Sequence, residues 1–138
     1  MMRILVIPLL LIVGCGQNIK EADLDYLNGY WEIVLVKFPN GDEKTYKVNT
    51  SIDFIEFNTT KGFRKKVQPN LLGTYRTSND AEQFAIIKQE GRFLMRYGNG
   101  PNQWEEELLD ISENRFSVRN QENITYIYNR FQPINPTP

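Results

Sequence analysis

The feature that most constrains the fold is a series of ten short segments, rich in β-branched and aromatic residues, in which side chains of different character alternate. Alternation with a period of two predicts strands rather than helices. Between the segments lie short runs of turn-forming residues, such as Asn40-Gly41 and Glu90-Gly91. The predicted strands cover 30–38, 44–48, 51–58, 63–68, 72–77, 83–89, 92–97, 103–111, 115–120 and 124–131.

The short connections also limit how these strands pair. Parallel neighbours need crossovers of about a dozen residues or more, usually helical, and no amphipathic helix of that length lies between the segments. We therefore predict an all-β, antiparallel up-and-down meander of eight to ten strands. A meander that long exposes two edges unless it closes, so a closed β-barrel is favoured. Asn18, with Glu21 three residues later, is expected to cap a short helical turn before the first strand.

The N-terminus has a basic residue, Arg3, followed by the apolar run 4–13 and then by Gly14-Cys15. Ten residues that include Pro8 are too few to span a bilayer, which needs about 20. A buried first strand or helix is the alternative, but the polar break after Cys15 argues against it. The pattern resembles a bacterial lipoprotein signal. That resemblance implies cleavage before Cys15, acyl chains such as palmitate on the cysteine, and no transmembrane anchor.

From this resemblance we expect a lipid-anchored protein of the bacterial cell envelope. No run of acidic residues follows Cys15, which favours the periplasmic face of the outer membrane. The predicted organisation is a signal peptide over 1–14, a lipidated tether with the helical turn over 15–28, a barrel over 29–131 and a proline-rich tail over 132–138.

Composition excludes several classes of function. Removing 14 of the 138 residues leaves 124, enough for one domain, with 15 basic and 17 acidic side chains. The chain has no histidine, and its one cysteine, Cys15, is expected to carry lipid, which leaves no free thiol. These absences argue against imidazole catalysis, a cysteine nucleophile and a common zinc site. Asp53 with Glu56, or Glu106 with Asp110, lack the pattern of a catalytic carboxylate pair. We predict a protein that is not an enzyme and needs no cofactor or metal.

Two charged clusters, Arg64-Lys65-Lys66 and Glu105-Glu106-Glu107, lie within predicted strands. Alternation along a strand should divide each cluster between two faces, and oppositely charged members could pair across strands. Contact of the basic cluster with anionic lipid head groups is an alternative. Neither cluster is interleaved with aromatic residues, so we predict no nucleic-acid binding.

Gly29-Tyr30-Trp31 opens the first predicted strand, and Arg130 ends the last. Together with Leu72-Gly73-Thr74-Tyr75, this pattern resembles the lipocalin-like barrels, specifically the lipocalin-like lipoproteins of bacteria. The chain lacks the disulfide and the mid-chain motifs of the classical secreted lipocalins. The resemblance implies that Arg130 lies against Trp31 and closes the base of the barrel. A guanidinium over an indole face contributes roughly 0.5 to 2 kcal/mol.

The alternation places Ile33 and Leu35 on the inward face with Trp31. Further inward aromatic and sulfur-containing side chains could line an apolar cavity, with tyrosine hydroxyls as partners for a carboxylate or head group. The ligand-binding candidates are Tyr75, Phe93, Met95, Tyr97, Trp104, Tyr126 and Tyr128. We predict that the barrel binds a small apolar or amphipathic molecule. The alternative is a filled barrel whose rim, including Trp104, docks another envelope protein.

Overall fold

Ten strands and two short 3-10 helices form the computed structural model, which describes residues 19–49, 51–69, 75–77, 81–98 and 100–132. Cys15, the signal 1–14 and the prolines of the tail lie outside the described residues. The elements in order are a 3-10 helix Glu21–Leu27, β1 Gly29–Lys37, β2 Glu43–Thr45, β3 Ile52–Asn58, β4 Lys61–Pro69, β5 Tyr75–Thr77, β6 Glu82–Gln89, β7 Arg92–Tyr97, a second 3-10 helix Gly100–Asn102, β8 Trp104–Ile111, β9 Arg115–Asn120 and β10 Thr125–Arg130.

Eight of these strands close into an antiparallel barrel in the order β1-β3-β4-β6-β7-β8-β9-β10. Closure comes from β10 pairing with β1, with Trp31 opposite Arg130 at one end and Lys37 opposite Thr125 at the other. The two shortest strands lie beside the barrel, β2 on β1 and β5 on β4. The predicted antiparallel closed barrel with a short helical turn before its first strand is therefore confirmed.

The first 3-10 helix covers one end of the barrel, which we call the base. Its Leu24 and Leu27 are buried and belong to the same apolar cluster as the barrel interior. The Trp31 indole Nε1 donates a hydrogen bond of 2.8 Å to the Leu27 carbonyl. The helix begins after Lys20, whose backbone N–H lies 3.4 Å from the Asp23 carboxylate, and not at the predicted cap two residues earlier. Part of the predicted tether is thus packed against the barrel.

Arg130 joins this helix to the last strand. Its guanidinium carbon lies 4.0 Å from the centre of the Trp31 ring. The guanidinium also donates to the carbonyls of Tyr26 at 2.7 Å, Asn28 at 2.5 Å and Glu113 at 2.9 Å. The pair expected to close the base is therefore in contact, and the same side chain holds the backbone that leads into β1.

Steric constraints explain why a glycine begins the segment Gly29-Tyr30-Trp31. Gly29 has a φ of +124°, a conformation that side-chain-bearing residues rarely adopt. A Cβ at this position would also collide with the Arg130 guanidinium. Gly29 thus lets the backbone turn into β1 while leaving room for the arginine.

The base half of the barrel interior is filled with side chains. Trp31 packs edge-to-face on Phe116 at 4.7 Å between ring centres, and Phe116 stacks on Tyr128 at 4.7 Å. The other buried members of this cluster are Ile55, Phe57, Phe84, Phe93, Met95, Tyr97, Leu108 and Val118. Packing of this kind fills the base half of the barrel with the protein's own side chains.

A β-bulge changes the phase of the alternation in β1. The pairing with β10 shifts between Ile33 and Leu35, after which Val36 is buried and Leu35 is partly exposed. The expectation that Leu35 shares the inward face with Trp31 is therefore wrong. One extra residue in the bulge exchanges the two faces of the strand.

Within the part of the chain that the structure describes, no helix is long and apolar enough to cross a bilayer.

Candidate ligand-binding site at the open end

The end of the barrel opposite the 3-10 helix holds an open pocket, which we call the mouth pocket. Its volume is about 320 Å³. Four predicted ligand candidates come together here: Tyr97 at the end of β7, Trp104 at the start of β8, and Tyr126 and Tyr128 in β10. The remaining lining residues are polar or charged: Arg64, Lys66, Glu82, Glu106 and Asn120.

Of the other three candidates, Met95 and Phe93 do not line the mouth pocket. Met95 is completely buried in the apolar cluster. Phe93 contributes to a separate hollow at the base, beside Leu24 and the turn at Thr59. For Tyr75 the structure describes the backbone, which pairs with Pro69 in β4. Its side chain lies outside the described part, so its role stays a prediction.

The floor of the mouth pocket is built around Arg64, whose side chain is 11% exposed. Its Nη2 lies 2.6 Å from Asp53 Oδ2, and its Nη1 donates to the Tyr97 hydroxyl at 3.3 Å. The guanidinium carbon lies 4.9 Å from the centre of the Tyr128 ring. Glu106 Oε1 is 3.7 Å from Nη1, close enough for charge attraction but beyond hydrogen-bond distance. Arg64 therefore connects strands β3, β7, β8 and β10 across the interior.

Asp53 is the main counter-ion of this arginine, and its side chain is 2% exposed. Lys66 Nζ approaches Oδ1 at 2.6 Å. That approach is an ion pair by distance, although Oδ1 has no hydrogen bond of good angular geometry among the described residues. Burial alone would raise the pKa of Asp53, but the charges of Arg64 and Lys66 outweigh it, so the pKa lies below its usual value. Asp53 is therefore ionised at neutral pH.

The two tyrosines beside Arg64 keep their protons. Burial raises the pKa of Tyr128 to about 12, and it raises the pKa of Tyr97 well above its usual value. In both cases Arg64 opposes the effect of burial without cancelling it. Both hydroxyls thus remain able to donate as well as accept hydrogen bonds at neutral pH.

Aromatic rings form one wall of the mouth pocket. The Trp104 ring stacks on that of Tyr97, with 5.4 Å between centres and 10° between planes. Trp104 is 40% exposed, whereas Tyr97 is buried beneath it. On another side, Asn120 Nδ2 lies 3.5 Å from the Tyr126 hydroxyl. The pocket thus combines flat apolar faces with a charged floor.

The charged floor was not predicted as a site, although its residues were noted in the sequence. Arg64 and Lys66 lie on the face of β4 that meets Asp53, while the Lys65 ammonium lies 5.8 Å from the Phe54 ring and 5.7 Å from the Phe63 ring. The acidic cluster also divides between faces. Glu106 faces Arg64, whereas Glu105 pairs with Arg96 and Glu107 with Arg119. The available signal was a single charged residue on an otherwise apolar strand face: Asp53 with Ile55 and Phe57 in β3, and Glu106 with Leu108 in β8.

A metal centre has no counterpart in the described ranges, which contain no group of three or more metal-ligating side chains of the His, Cys, Asp or Glu type.

Comparisons with known proteins give a sparse result. No family model matches the chain. No curated protein matches it in sequence. Among solved structures, the chain is similar to a lipocalin-like protein from Bacteroides uniformis, with 11% sequence identity and a TM-score of 0.47. The similarity covers 77% of this chain and 99% of the other.

Proposed function

We propose that this protein is a lipid-anchored, lipocalin-like lipoprotein of the bacterial cell envelope whose barrel binds a small amphipathic molecule at its open end. The observation that carries the proposal is the mouth pocket, about 320 Å³ in volume and lined by four aromatic side chains together with charged groups. Its size falls within the range of roughly 300 to 1,000 Å³ in which small-molecule sites are found. We propose a binding function rather than a catalytic one, on the residue inventory of the chain.

The buried charges support a recognition role for this end of the barrel. Removing a charged group from water costs several kcal/mol, and a buried ion pair is often no more stabilising than apolar residues of the same volume. Stability alone therefore gives little reason to place Arg64 and Asp53 inside a barrel. Charged groups beneath an open pocket are, by contrast, a common arrangement for fixing the orientation of a bound molecule.

A direct test uses the two tryptophans as separate reporters. Trp104 lies in the mouth pocket, whereas Trp31 is sealed at the base. Titration with the uncharged apolar dye N-phenyl-1-naphthylamine should enhance dye emission and quench Trp104. Trp104→Phe should remove the quenching of protein emission. Arg96→Gln, on the outer face, is the matched control and should leave dye binding unchanged. Absence of a dye response, together with native mass spectra free of any retained ligand, would contradict the proposal.

The anchor part of the proposal is supported by the sequence around Cys15, and it has its own experiment. Cys15→Ser should block lipid attachment and move the protein from the membrane fraction to the soluble fraction of the cell. Mass spectrometry of protein purified from its own membranes should find acyl chains on the N-terminal cysteine. A mature N-terminus elsewhere, or an unmodified Cys15, would overturn this part while leaving the binding proposal intact.

A second candidate function is an envelope interaction module with a filled barrel. The observation that favours it is the solid packing around Met95 and Phe116, combined with the partial exposure of Trp104 at the rim. In this case Trp104→Ala should abolish cross-linking to an envelope protein in cells, and no small molecule should be retained. Envelope pull-downs without a specific partner would count against this candidate.

A further inference from the structure

We infer that the mouth pocket takes a compact, flat, uncharged molecule whose edge carries a hydrogen-bond donor beside an acceptor, as in a cyclic amide or imide of a heteroaromatic ring. This inference rests on the proposed function, since it names the class of ligand for the same pocket. Four features of the pocket carry it: depth, charge balance, wall shape and the spacing of two polar groups on its floor.

The depth of the pocket favours a compact ligand. Towards the base the interior is filled by buried side chains, including Met95 and Phe116. These side chains block the path below the charged floor. A bound molecule is therefore confined to the mouth pocket itself.

The charge balance favours an uncharged ligand. Two cations, Arg64 and Lys66, lie near three carboxylates, Asp53, Glu82 and Glu106. An anion that reached Arg64 would also approach Glu106, which is only 3.7 Å from the same guanidinium nitrogen. A cation that reached Glu106 would meet Arg64. A neutral molecule avoids both repulsions and needs no net change in the pairing of these groups.

The walls favour a flat ligand. Trp104 lies nearly parallel to the buried Tyr97 ring beneath it, 10° apart, so the partly exposed indole presents a flat aromatic face at the rim. The Tyr128 ring lies deeper, 4.9 Å below the Arg64 guanidinium carbon. Flat rings stack on surfaces of this kind largely independently of their exact structure. A planar ring system can thus enter past Trp104 and reach the floor edge-first.

The floor supplies a donor next to an acceptor. Arg64 Nη1 already donates one N–H to the Tyr97 hydroxyl, and its second N–H can donate to a ligand carbonyl. Glu106 Oε1 can accept from an adjacent ligand N–H. The two atoms are 3.7 Å apart, which is too far for a hydrogen bond between them. They lie side by side at the pocket. A ring edge with neighbouring C=O and N–H groups matches both at once. Bidentate pairing of this type gives strong discrimination, because an analogue that lacks one group leaves a buried polar atom unpaired.

The experiment compares three probes on the full mature protein by titration calorimetry, with Trp104 emission as a second readout. The probes are quinazoline-2,4-dione, its 1,3-dimethyl analogue, which has the same ring but no N–H, and palmitate. We expect the dione to bind at least tenfold more tightly than the dimethyl analogue, and palmitate not to displace it. Glu106→Met should remove this preference, whereas Glu105→Met, the neighbouring residue paired with Arg96 on the outer face, should retain it.

The outcomes separate this inference from the proposed function. Equal or tighter binding of the dimethyl analogue or of palmitate would overturn the inference, while leaving the mouth pocket as a binding site. Retention of the preference in a folded Glu106→Met protein would also overturn it. If none of the probes binds and native mass spectra show no retained molecule, both the inference and the proposed binding function fail.

Discussion

Asp53→Asn tests the charged floor most directly. The Asp53 carboxylate lies 2.6 Å from both Arg64 Nη2 and Lys66 Nζ, and its side chain is 2% exposed. Breaking a buried ion pair from one side costs about 3 to 5 kcal/mol, because the remaining charge stays buried without its partner. Glu106 remains 3.7 Å from Arg64 in the variant and offsets part of this cost. We therefore expect a loss of about 3 kcal/mol in the free energy of unfolding, at the lower end of that range.

Urea unfolding of the mature protein, followed by Trp31 fluorescence, measures this loss. With a typical slope of about 1 to 3 kcal/mol per molar urea, the midpoint should fall by roughly 1 to 3 M at unchanged slope. Arg64→Met combined with Asp53→Leu supplies the control, because replacing both partners by apolar residues leaves no buried charge between them. This double variant should be more stable than Asp53→Asn alone. A loss below about 1 kcal/mol in Asp53→Asn, or a double variant that is less stable still, would refute the reasoning.

The same variant gives a pH dependence of known sign. Because the pKa of Asp53 is lower in the folded protein than its usual value, the unfolded chain binds the proton first as the pH falls. The stabilisation by the ion pair is therefore fully present above the unfolded pKa, about 4, and is lost as the pH falls through the folded pKa. The stability difference between wild type and Asp53→Asn should be constant from pH 5 to 8 and shrink below about pH 4. A difference that widens on acidification would contradict the assignment.

Three further predictions concern the base and the two tryptophans. Arg130→Met should lower the free energy of unfolding by about 2 kcal/mol in thermal or urea melts, since it removes the contact with Trp31 and three hydrogen bonds to carbonyls; Arg130→Lys should not restore it. Gly29→Ala should destabilise more than Gly91→Ala in the same melts, because both have positive φ but only the Gly29 Cβ would meet another side chain; equal losses would exclude the steric reason. Acrylamide should quench the emission of wild type but hardly that of Trp104→Phe, whose remaining tryptophan is buried; strong quenching of that variant would contradict a sealed base.

The fold was largely predictable because it follows from local signals. Alternation and turn residues indicated each of the ten strands, and short connections required antiparallel pairing. The two strands that lie beside the barrel, β2 and β5, are the shortest, with three residues each. The contact between Trp31 and Arg130 was also expected, although through resemblance to a family and not through spacing.

The mouth pocket was predictable only in part, because its floor depends on closure of the barrel. Asp53, Arg64 and Glu106 belong to β3, β4 and β8, and no spacing along the chain indicates that Arg64 reaches Glu106 across the interior. The aromatic residues at strand ends could be named from alternation, but their depth could not. Met95 and Tyr97 share one face of β7, yet two residues of separation place the first in the filled interior and the second at the pocket.

The two ends of the barrel have different relations to the membrane if Cys15 carries the proposed lipid. Five residues, 16–20, separate the cysteine from the first 3-10 helix, and five residues span at most about 18 Å when extended. That helix is fixed to the base by Leu24, Leu27 and the carbonyls that Arg130 contacts. The base is then held next to the bilayer, while the mouth pocket opens at the opposite end. A ligand would therefore exchange with the aqueous phase rather than with the lipid, which agrees with the compact, polar-edged ligand inferred for the mouth pocket.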